Sequence, residues 1–259
     1  MPLHVRDLGS GPPVVLLHPG PGLDGSVFLP GAQALVDAGF RALLVDLPGS
    51  GRSPATDWTL AAHAEAVEDF VNQLGLEDWT LLGHSFGGYV ALQHLVDFGT
   101  AGRYIASCTD ADEEEAPGVD PQRFENVPAS VADAFEREDS VTTPEECHDV
   151  WRDQLPFFAD DPAAVEPMLD RVIFQPDAHR SRDFGDLHAL GALAATDAPV
   201  LAIAGAHDRA HPPANAERIA GTARNGELVI VDGAGHFPFA EAPDRYWPAV
   251  VDWLTRTQP

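Results

Sequence analysis

Ser85 is the residue of this chain most suited to nucleophilic chemistry. It lies in Gly-His-Ser-Phe-Gly at residues 83–87, after the apolar Leu81-Leu82 and before a run with helical spacing, Tyr89–Phe98. A serine between small residues in a sharp strand-to-helix turn presents its hydroxyl away from the sheet, toward a substrate. These residues could also be a glycine-flanked helix start, but the strand-turn-helix setting favours a nucleophile.

A serine hydroxyl is a weak nucleophile until a base accepts its proton, and a third group must orient that base. Asp208 follows the apolar run Val200–Ala204, and His236 follows Leu228–Val231. Taken singly, Asp208 could be a helix N-cap and His236 a loop histidine bonded to the backbone. Together with Ser85 they predict a triad in which His236 is the general base and Asp208 the orienting acid.

Two nearby possibilities are weaker. Asp110, which follows the predicted strand Arg103–Cys108, is the alternative carboxylate for His236. His207 and His211 flank Asp208 and could suggest a metal site, but no third ligand with suitable spacing follows them. We predict that they lie at the rim of the site, and that the reaction needs neither a metal nor another cofactor.

The loop after the apolar run Pro13–Leu17 reads His-Pro-Gly-Pro-Gly at residues 18–22. Acyl transfer places negative charge on a carbonyl oxygen, which backbone N–H groups can stabilise. Proline has no N–H group, so Gly20 is the natural donor in this loop, paired with the N–H of Phe86. The loop can also be an ordinary turn between a strand and a helix, and the two roles are compatible.

The elements that must position these residues follow from the alternation of short apolar runs with longer amphipathic segments. That alternation is typical of a mostly parallel sheet with helices on both faces, the α/β class. The continuous apolar character of the runs predicts strands covered on both faces. The predicted strands are Pro13–Leu17, Arg41–Val45, Trp79–Leu82, Arg103–Cys108, Val200–Ala204 and Leu228–Val231, and the clearest helices are Leu60–Leu74 and Pro243–Leu254.

The alternation stops between residues 110 and 195, where prolines, acidic residues and short helical pieces dominate. We predict a helical cap at 110–195, inserted into a core domain formed by residues 1–109 and 196–259. Aromatic residues of the cap are candidates for the substrate pocket: Trp151, Phe157, Phe158 and Phe174. The acidic residues at its opening, Asp110, Asp112 and Glu113 to Glu115, would favour a cationic amine, or they could simply be solvated.

Five segments resemble motifs of the α/β-hydrolase superfamily: HPGPG, VDLPGSGRS (Val45–Ser53), GHSFGG, GAHD and GAGHFPF. HPGPG followed by PGSGRS is most similar to the proline iminopeptidase group and its esterase and C–C hydrolase relatives, although that group has Gly where Pro19 stands. The resemblance implies an α/β-hydrolase fold. Only one short strand, about Leu3–Asp7, fits before Pro13. Epoxide hydrolases and haloalkane dehalogenases share the fold but use an aspartate nucleophile.

The composition excludes several classes of function. The 259 residues carry a formal net charge of −26, which argues against nucleic acid or an anionic membrane as a partner. All the basic residues are arginines, so Schiff-base, PLP and Walker A chemistry, which need a lysine, are excluded. The chain has no apolar run of membrane-spanning length and no export signal at Met1–Ser10, so we expect a cytoplasmic protein. The oligomeric state cannot be read from the sequence.

We therefore expect a serine hydrolase that acts on a small-molecule substrate through an acyl-enzyme. A small or medium carboxylic ester or lactone is the first hypothesis, because apolar walls dominate most small-molecule pockets. An aminopeptidase that releases N-terminal proline is the second, and a C–C bond hydrolase the third. A catalytically slow binding protein with this fold is the alternative from another class, and a complete triad disfavours it.

Overall fold

The protein is described by a computed structural model covering residues 2–55, 57–112, 127–181 and 186–258. Its centre is a seven-stranded sheet with the order β1-β3-β2-β4-β5-β6-β7. Only β1 runs antiparallel to its neighbour, and the other pairs are parallel. The strands are β1 (Val5–Gly9), β2 (Pro13–Leu17), β3 (Arg41–Val45), β4 (Thr80–His84), β5 (Arg103–Ser107), β6 (Val200–Gly205) and β7 (Gly226–Val231).

Helices connect the strands and cover the sheet. Those outside the predicted cap are α1 (Gln33–Asp37), α2 (Leu60–Leu74), α3 (Phe86–Asp97), α9 (Pro213–Thr222), α10 (Pro238–Glu241) and α11 (Pro243–Thr257). Those within residues 110–195 are α4 (Ala129–Arg137), α5 (Pro144–Phe158), α6 (Pro162–Leu169), α7 (Pro176–Arg180) and α8 (Leu190–Ala195). Among the described residues, no helix is long and apolar enough to cross a membrane.

Alternate side chains of each central strand point to opposite faces of the sheet, because the strand repeat is two residues. In β2, Val14 and Leu16 join a buried cluster with side chains of α1 and α11, whereas Val15 and Leu17 join one with α2, α3 and α9. Helices therefore cover both faces, as the apolar pattern predicts. The α/β architecture with a mostly parallel sheet is confirmed.

Local signals explain where the well-predicted helices begin and end. α2 begins after Thr59, whose side chain accepts a hydrogen bond from the N–H of Ala62, and ends at Gly75 with φ of 60°. α5 begins with a capping box between Thr143 and Glu146. Both arrangements satisfy backbone groups that a helix end leaves without a partner. The predicted bounds of α2 match the structure.

The last strand differs from the prediction. Among the described strands, β7 lies at the edge of the sheet and pairs only with β6. Its residues are partly exposed, and Leu228 is 41% exposed. The prediction that every strand is covered on both faces is therefore wrong for β7. An apolar run of four residues cannot distinguish an edge strand from a central one, because strand order is decided by the rest of the chain.

The segment between β5 and β6 contains helices and, among its described residues, no strand of the sheet. An isolated bridge joins Asp112 to His188 near its two ends. Leu187, Ala189 and Leu193 are buried in the cluster that contains α3 and α9. The division into core and cap stays a prediction, and this packing favours a cap that ends before α8 rather than at residue 195.

Candidate active site

Ser85 stands in the turn between β4 and α3. Its backbone has φ of 52° and ψ of −118°, in a region that side-chain-bearing residues rarely occupy. A Cβ on Gly83 would lie 2.1 Å from the carbonyl oxygen of Gly87, and one on Gly87 would lie 2.3 Å from that of Leu17. Only glycine fits at both positions, which explains why the motif has a glycine on each side of Ser85.

Hydrogen bonds to the neighbouring strand hold this strained turn. The N–H of Ser85 donates to the carbonyl oxygen of Ser107 at 2.9 Å, and the hydroxyl of Thr109 donates to the carbonyl oxygen of Ser85 at 3.0 Å. Strained backbone of this kind persists only where its surroundings fix it. The side chain of Ser85 is therefore presented from a rigid position at the carboxyl edge of the sheet.

Asp208 and His236 form a buried pair at the same edge. The Nδ1 atom of His236 lies 2.9 Å from Oδ2 of Asp208. His236 is 2% exposed and Asp208 is 4% exposed. The other carboxylate oxygen accepts the N–H groups of Ala210 and His211, each at 2.9 Å. Burial would raise the pKa of Asp208, but the charge and hydrogen bond of His236, followed by those of His211, lower it. Asp208 is thus an ionised acceptor for His236.

The imidazole of His236 lies beside the end of β4. Its ring centroid is 5.1 Å from that of His84, the residue before Ser85, and 5.4 Å from that of Phe158. The backbone N–H of His236 donates to the carbonyl oxygen of Phe158 at 2.7 Å. The structure therefore brings the predicted base, its carboxylate and the turn of the predicted nucleophile into one place. Their catalytic roles stay predictions.

Asp110 is engaged elsewhere. Its Oδ1 atom lies 2.8 Å from a guanidinium nitrogen of Arg218 on α9, and it also accepts the N–H of Ala111. Asp112 is buried as well, and its carbonyl oxygen accepts from Arg218 at 2.9 Å. The carboxylate of Asp112 lies 3.4 Å from Nδ1 of His188. The prediction of an acidic, substrate-facing opening is wrong for these two residues, because both are buried and their carboxylates have partners within the protein. Glu113 to Glu115 lie outside the described residues.

The predicted oxyanion donors follow β2 and β4, on either side of the point where strand order reverses. Ligands of open parallel sheets bind at such points. His18 holds the first loop: its Nε2 accepts the N–H of Leu47, so Nδ1 carries the proton and donates to the carbonyl oxygen of Pro19 at 2.6 Å. Gly20 lines the cavity described next, and Phe86 is the first residue of α3. Their role as donors stays a prediction.

A cavity of about 420 Å³ opens above this edge of the sheet. Its walls come from the loop after β2, from α3, from the loop after β6 and from the cap. They are lined by Gly20, Pro21, Tyr89, Phe135, Glu138, Trp151, Phe158, His179 and His211. Trp151 and Phe158 are among the residues that the sequence suggested as pocket walls.

Phe157 and Phe174, the other two pocket candidates, are not among the residues that line this cavity, and their role as pocket walls stays a prediction. The ring of Phe157 packs against the rings of Phe135 and Phe158, with centroid distances of 5.3 and 5.1 Å. The ring of Phe174 packs against His148 at 5.7 Å. Neighbouring residues of a helix point in directions about 100° apart, and in α5 Phe158 is directed to the cavity while Phe157 packs inside the cap. Both rings stabilise the cap.

Glu241 in α10 is a residue that the sequence reasoning missed. One carboxylate oxygen accepts the N–H groups of Asp160 and Asp161 at 2.7 and 3.0 Å, and the other accepts those of Gly235 and Phe237 at 3.1 and 3.0 Å. It therefore ties the end of α5 to the two residues that flank His236. The only signal was an acidic residue soon after the predicted base, which does not show that its partners come from two segments.

His84, Cys108 and His236 are the one group of possible metal ligands among the described residues, with ligand atoms within 4.8 Å of one another. Burial, reinforced by the charge of Asp208, raises the pKa of Cys108 well above its usual value. A metal would bind the thiolate, whose formation burial opposes. The imidazole of His236 is held by Asp208, which gives it another role.

Comparisons with known proteins identify the family and the fold. The model of a family described as the alpha/beta hydrolase family matches residues 14–249. The pimeloyl-[acyl-carrier protein] methyl ester esterase of Shewanella oneidensis is 29% identical over 98% of this chain and 95% of its own length. A 2-hydroxy-6-oxononadienedioate/2-hydroxy-6-oxononatrienedioate hydrolase of Pseudomonas sp is 38% identical, but over 37% of this chain and 36% of that protein.

Solved structures share the fold over nearly the whole chain. A thermophilic esterase from Thermogutta terrifontis has a TM-score of 0.80 and 25% identity, covering 99% of this chain and 94% of its own. The meta-cleavage product hydrolase CumD from Pseudomonas fluorescens IP01 has a TM-score of 0.74 and 19% identity, with coverage of 99% and 95%. At that identity the second likeness concerns the fold only.

Proposed function

The chain belongs to the alpha/beta hydrolase family, and on that premise we propose that it is a serine hydrolase of small or medium carboxylic esters or lactones. One observation carries the proposal: the buried His236–Asp208 pair, joined at 2.9 Å, lies beside the strained turn of Ser85. A buried, ionised carboxylate that accepts from Nδ1 keeps the proton on that nitrogen and leaves Nε2 to act as a base.

In the first half of the proposed reaction, Nε2 of His236 takes the hydroxyl proton of Ser85 while Oγ attacks the substrate carbonyl carbon. The N–H groups of Gly20 and Phe86 stabilise the negative charge that develops on the carbonyl oxygen. The intermediate then collapses, the bond to the leaving alcohol breaks, and His236 gives the proton to that alcohol. An acyl group remains on Ser85.

In the second half, water replaces the alcohol. His236 takes a proton from the water as its oxygen attacks the acyl carbon, and the same backbone donors hold the oxyanion. The bond to Oγ breaks, Ser85 recovers its proton from His236, and the carboxylic acid leaves. Asp208 stabilises the imidazolium that forms in both halves without taking its proton.

The cavity walls support a neutral ester over an α-amino substrate. Three of the five cap residues that line the cavity are aromatic: Trp151, Phe158 and Phe135. The one carboxylate among the five, Glu138, accepts a hydrogen bond from the side-chain amide of Gln154. The carboxylates that would have attracted an amine at the opening are both buried: that of Asp110 pairs with Arg218, and that of Asp112 lies 3.4 Å from Nδ1 of His188. The full-length similarity to an esterase favours the same choice. An aminopeptidase is therefore the weaker alternative.

A C–C bond hydrolase is the second candidate. The local similarity to the Pseudomonas hydrolase, at 38% identity, favours it. That similarity covers little more than a third of either chain, whereas the esterase match covers nearly all of both. The ester hydrolase is accordingly placed first.

Labelling and a substrate panel test the proposal. A fluorophosphonate should label the wild-type protein stoichiometrically at Ser85, as located by peptide mass spectrometry, and should not label Ser85→Ala. The kcat/KM values are then measured for p-nitrophenyl esters of graded acyl length, for proline p-nitroanilide and for a meta-cleavage dienoate. Highest values for the esters support the proposal. A higher value for the anilide or for the dienoate would replace it by the corresponding alternative, and absence of labelling would reject a serine hydrolase.

A further inference from the structure

His211 stands next to the candidate site, and the proposed reaction leaves it without a role. It is the third residue after Asp208 and precedes Pro212 and Pro213, where α9 begins. Its backbone N–H donates to Oδ1 of Asp208 at 2.9 Å. The same carboxylate that holds His236 through its other oxygen therefore holds the backbone of His211.

The side chain of His211 packs against His236, the predicted base. Its ring centroid lies 5.5 Å from that of His236, with 33° between the planes. The same ring also packs edge-on against Tyr89, with 5.6 Å between the ring centroids and 87° between the planes. Tyr89 is in the first turn of α3, which begins directly after Ser85. The imidazole of His211 thus lies between the predicted base and the helix of the predicted nucleophile, and it lines the cavity.

The base needs this kind of support. The bond to Asp208 fixes one ring atom of His236, but it does not prevent the ring from tilting about that atom. In the proposed reaction Nε2 must stay in line with the hydroxyl of Ser85. A ring packed against His236 restricts this tilt. Phe158 does so as well, with 5.4 Å between the ring centroids and 37° between the planes. A displacement of about 1 Å at such a group can cost a hundredfold in rate.

We propose that His211 is a positioning residue: its ring packs against His236 and keeps Nε2 aligned with Ser85. The inference rests on the proposed function, because it assigns His236 as the base. It requires the flat ring of His211 and not its ability to carry a proton. Phenylalanine at position 211 should therefore preserve most of the activity, and asparagine, which has no ring, should not.

The experiment compares His211→Phe, His211→Ala and His211→Asn. All three keep the backbone N–H that Asp208 accepts, so the loop should stay folded, and thermal unfolding checks this. The matched control is His207→Phe. His207 belongs to the same loop, but its side chain is exposed and paired with Asp160 at the surface. Its replacement should leave kcat and KM unchanged.

We expect kcat of His211→Ala to fall by roughly ten- to a hundredfold, while KM stays within about twofold. The loss should be equal for p-nitrophenyl esters of all acyl lengths, because the residue acts through the base and not on the substrate. His211→Asn should be as slow as His211→Ala, and His211→Phe should recover most of the rate. The rate constant of fluorophosphonate labelling should follow the same order, since labelling also needs the aligned base.

Three results would overturn the inference: an unchanged kcat in His211→Ala, a loss that falls on KM and varies with acyl length, or recovery by Asn but not by Phe. The last two would indicate a direct contact with substrate. Labelling of the wild type separates these results from a failure of the proposed function. If wild-type Ser85 is not labelled, both proposals fail. If it is labelled and the variants behave in one of these three ways, only the role of His211 is rejected.

Discussion

Two regions of the protein face each other across the cavity, the carboxyl edge of the sheet and the cap helix α5. At the sheet, Ser85, Asp208 and His236 follow closely on strands. Backbone hydrogen bonds to neighbouring segments hold Ser85 and His236, and N–H groups of its own loop hold the carboxylate of Asp208. On α5, Trp151 and Phe158 face the cavity while Phe157 packs inside the cap. The positions of Ser85, Asp208 and His236 follow from where strands end. The directions of the α5 aromatic side chains depend on how the helix is oriented about its axis.

The difference shows which parts of a site can be located from local pattern. A parallel sheet brings the carboxyl ends of its strands to one edge, so residues after successive strands meet whatever the intervening sequence. A cap helix has no such rule. Which of its aromatic residues reach the cavity depends on how it packs on the core, and that packing includes the contact between Phe158 and the loop of His236.

Among substitutions at the carboxyl edge of the sheet, Ser85→Ala should have the largest effect on activity. We expect ester hydrolysis to fall by roughly 10⁴- to 10⁶-fold, because the reaction loses its nucleophile and keeps only binding and oxyanion stabilisation. The measurement is kcat with p-nitrophenyl esters, alongside circular dichroism and thermal unfolding to show that the fold is intact. Near-wild-type turnover in a folded variant would contradict the assignment of Ser85.

The two carboxylates that follow β5 and β6 give the next largest contrast. Asp208→Asn should reduce kcat by about 10⁴-fold, because His236 loses the partner that fixes its tautomer. Asp110→Asn should leave kcat nearly unchanged but lower the free energy of unfolding by about 3 kcal/mol, because it removes the buried carboxylate that pairs with Arg218 at 2.8 Å. Steady-state kinetics and urea unfolding of both variants decide between them. A greater loss of rate in Asp110→Asn would mean that the wrong acid is assigned.

The cap side is tested by Trp151→Leu against Phe174→Leu. Both changes remove an aromatic ring from the cap, but only Trp151 lines the cavity. Trp151→Leu should shift the ratio of kcat/KM between long and short acyl esters by about tenfold toward the long ones, because it enlarges the cavity. Phe174→Leu should leave that ratio unchanged and lower stability by about 1–3 kcal/mol. If both variants change the ratio equally, the cavity does not bind the acyl group.

The smallest expected effect compares the two regions directly. Thr59→Ala and Thr143→Ala each remove an N-cap hydroxyl, from α2 beside the sheet and from α5 in the cap. Each should cost about 1 kcal/mol of stability, since the lost hydrogen bond is of the same kind, and neither should alter kcat. Unfolding curves and kinetics of the two variants measure this. A loss of activity in Thr143→Ala alone would show that the position of α5 is set by its first turn.

The part of the site that could be predicted is the part governed by short-range backbone demands. Gly83 and Gly87 are needed because a Cβ at either position would collide with a carbonyl oxygen. Thr59 begins α2 with a side-chain cap, and Gly75 ends it with a left-handed backbone conformation. Such requirements leave a pattern in neighbouring residues. The positions of the strands along the chain, and the candidate nucleophile, base and acid that follow them, could therefore be inferred from the sequence.

Tertiary structure decided what depends on groups distant along the chain. Arg218 pairs with the buried carboxylate of Asp110, Glu241 accepts N–H groups from two separate segments, and the ring of His211 packs against that of His236. β7 is an edge strand only because no further strand pairs with it in the described sheet. By itself, the sequence determined which local conformations were possible. The through-space partners were selected by packing, because a side chain's nearest charges and rings come from whichever elements the whole fold brings beside it.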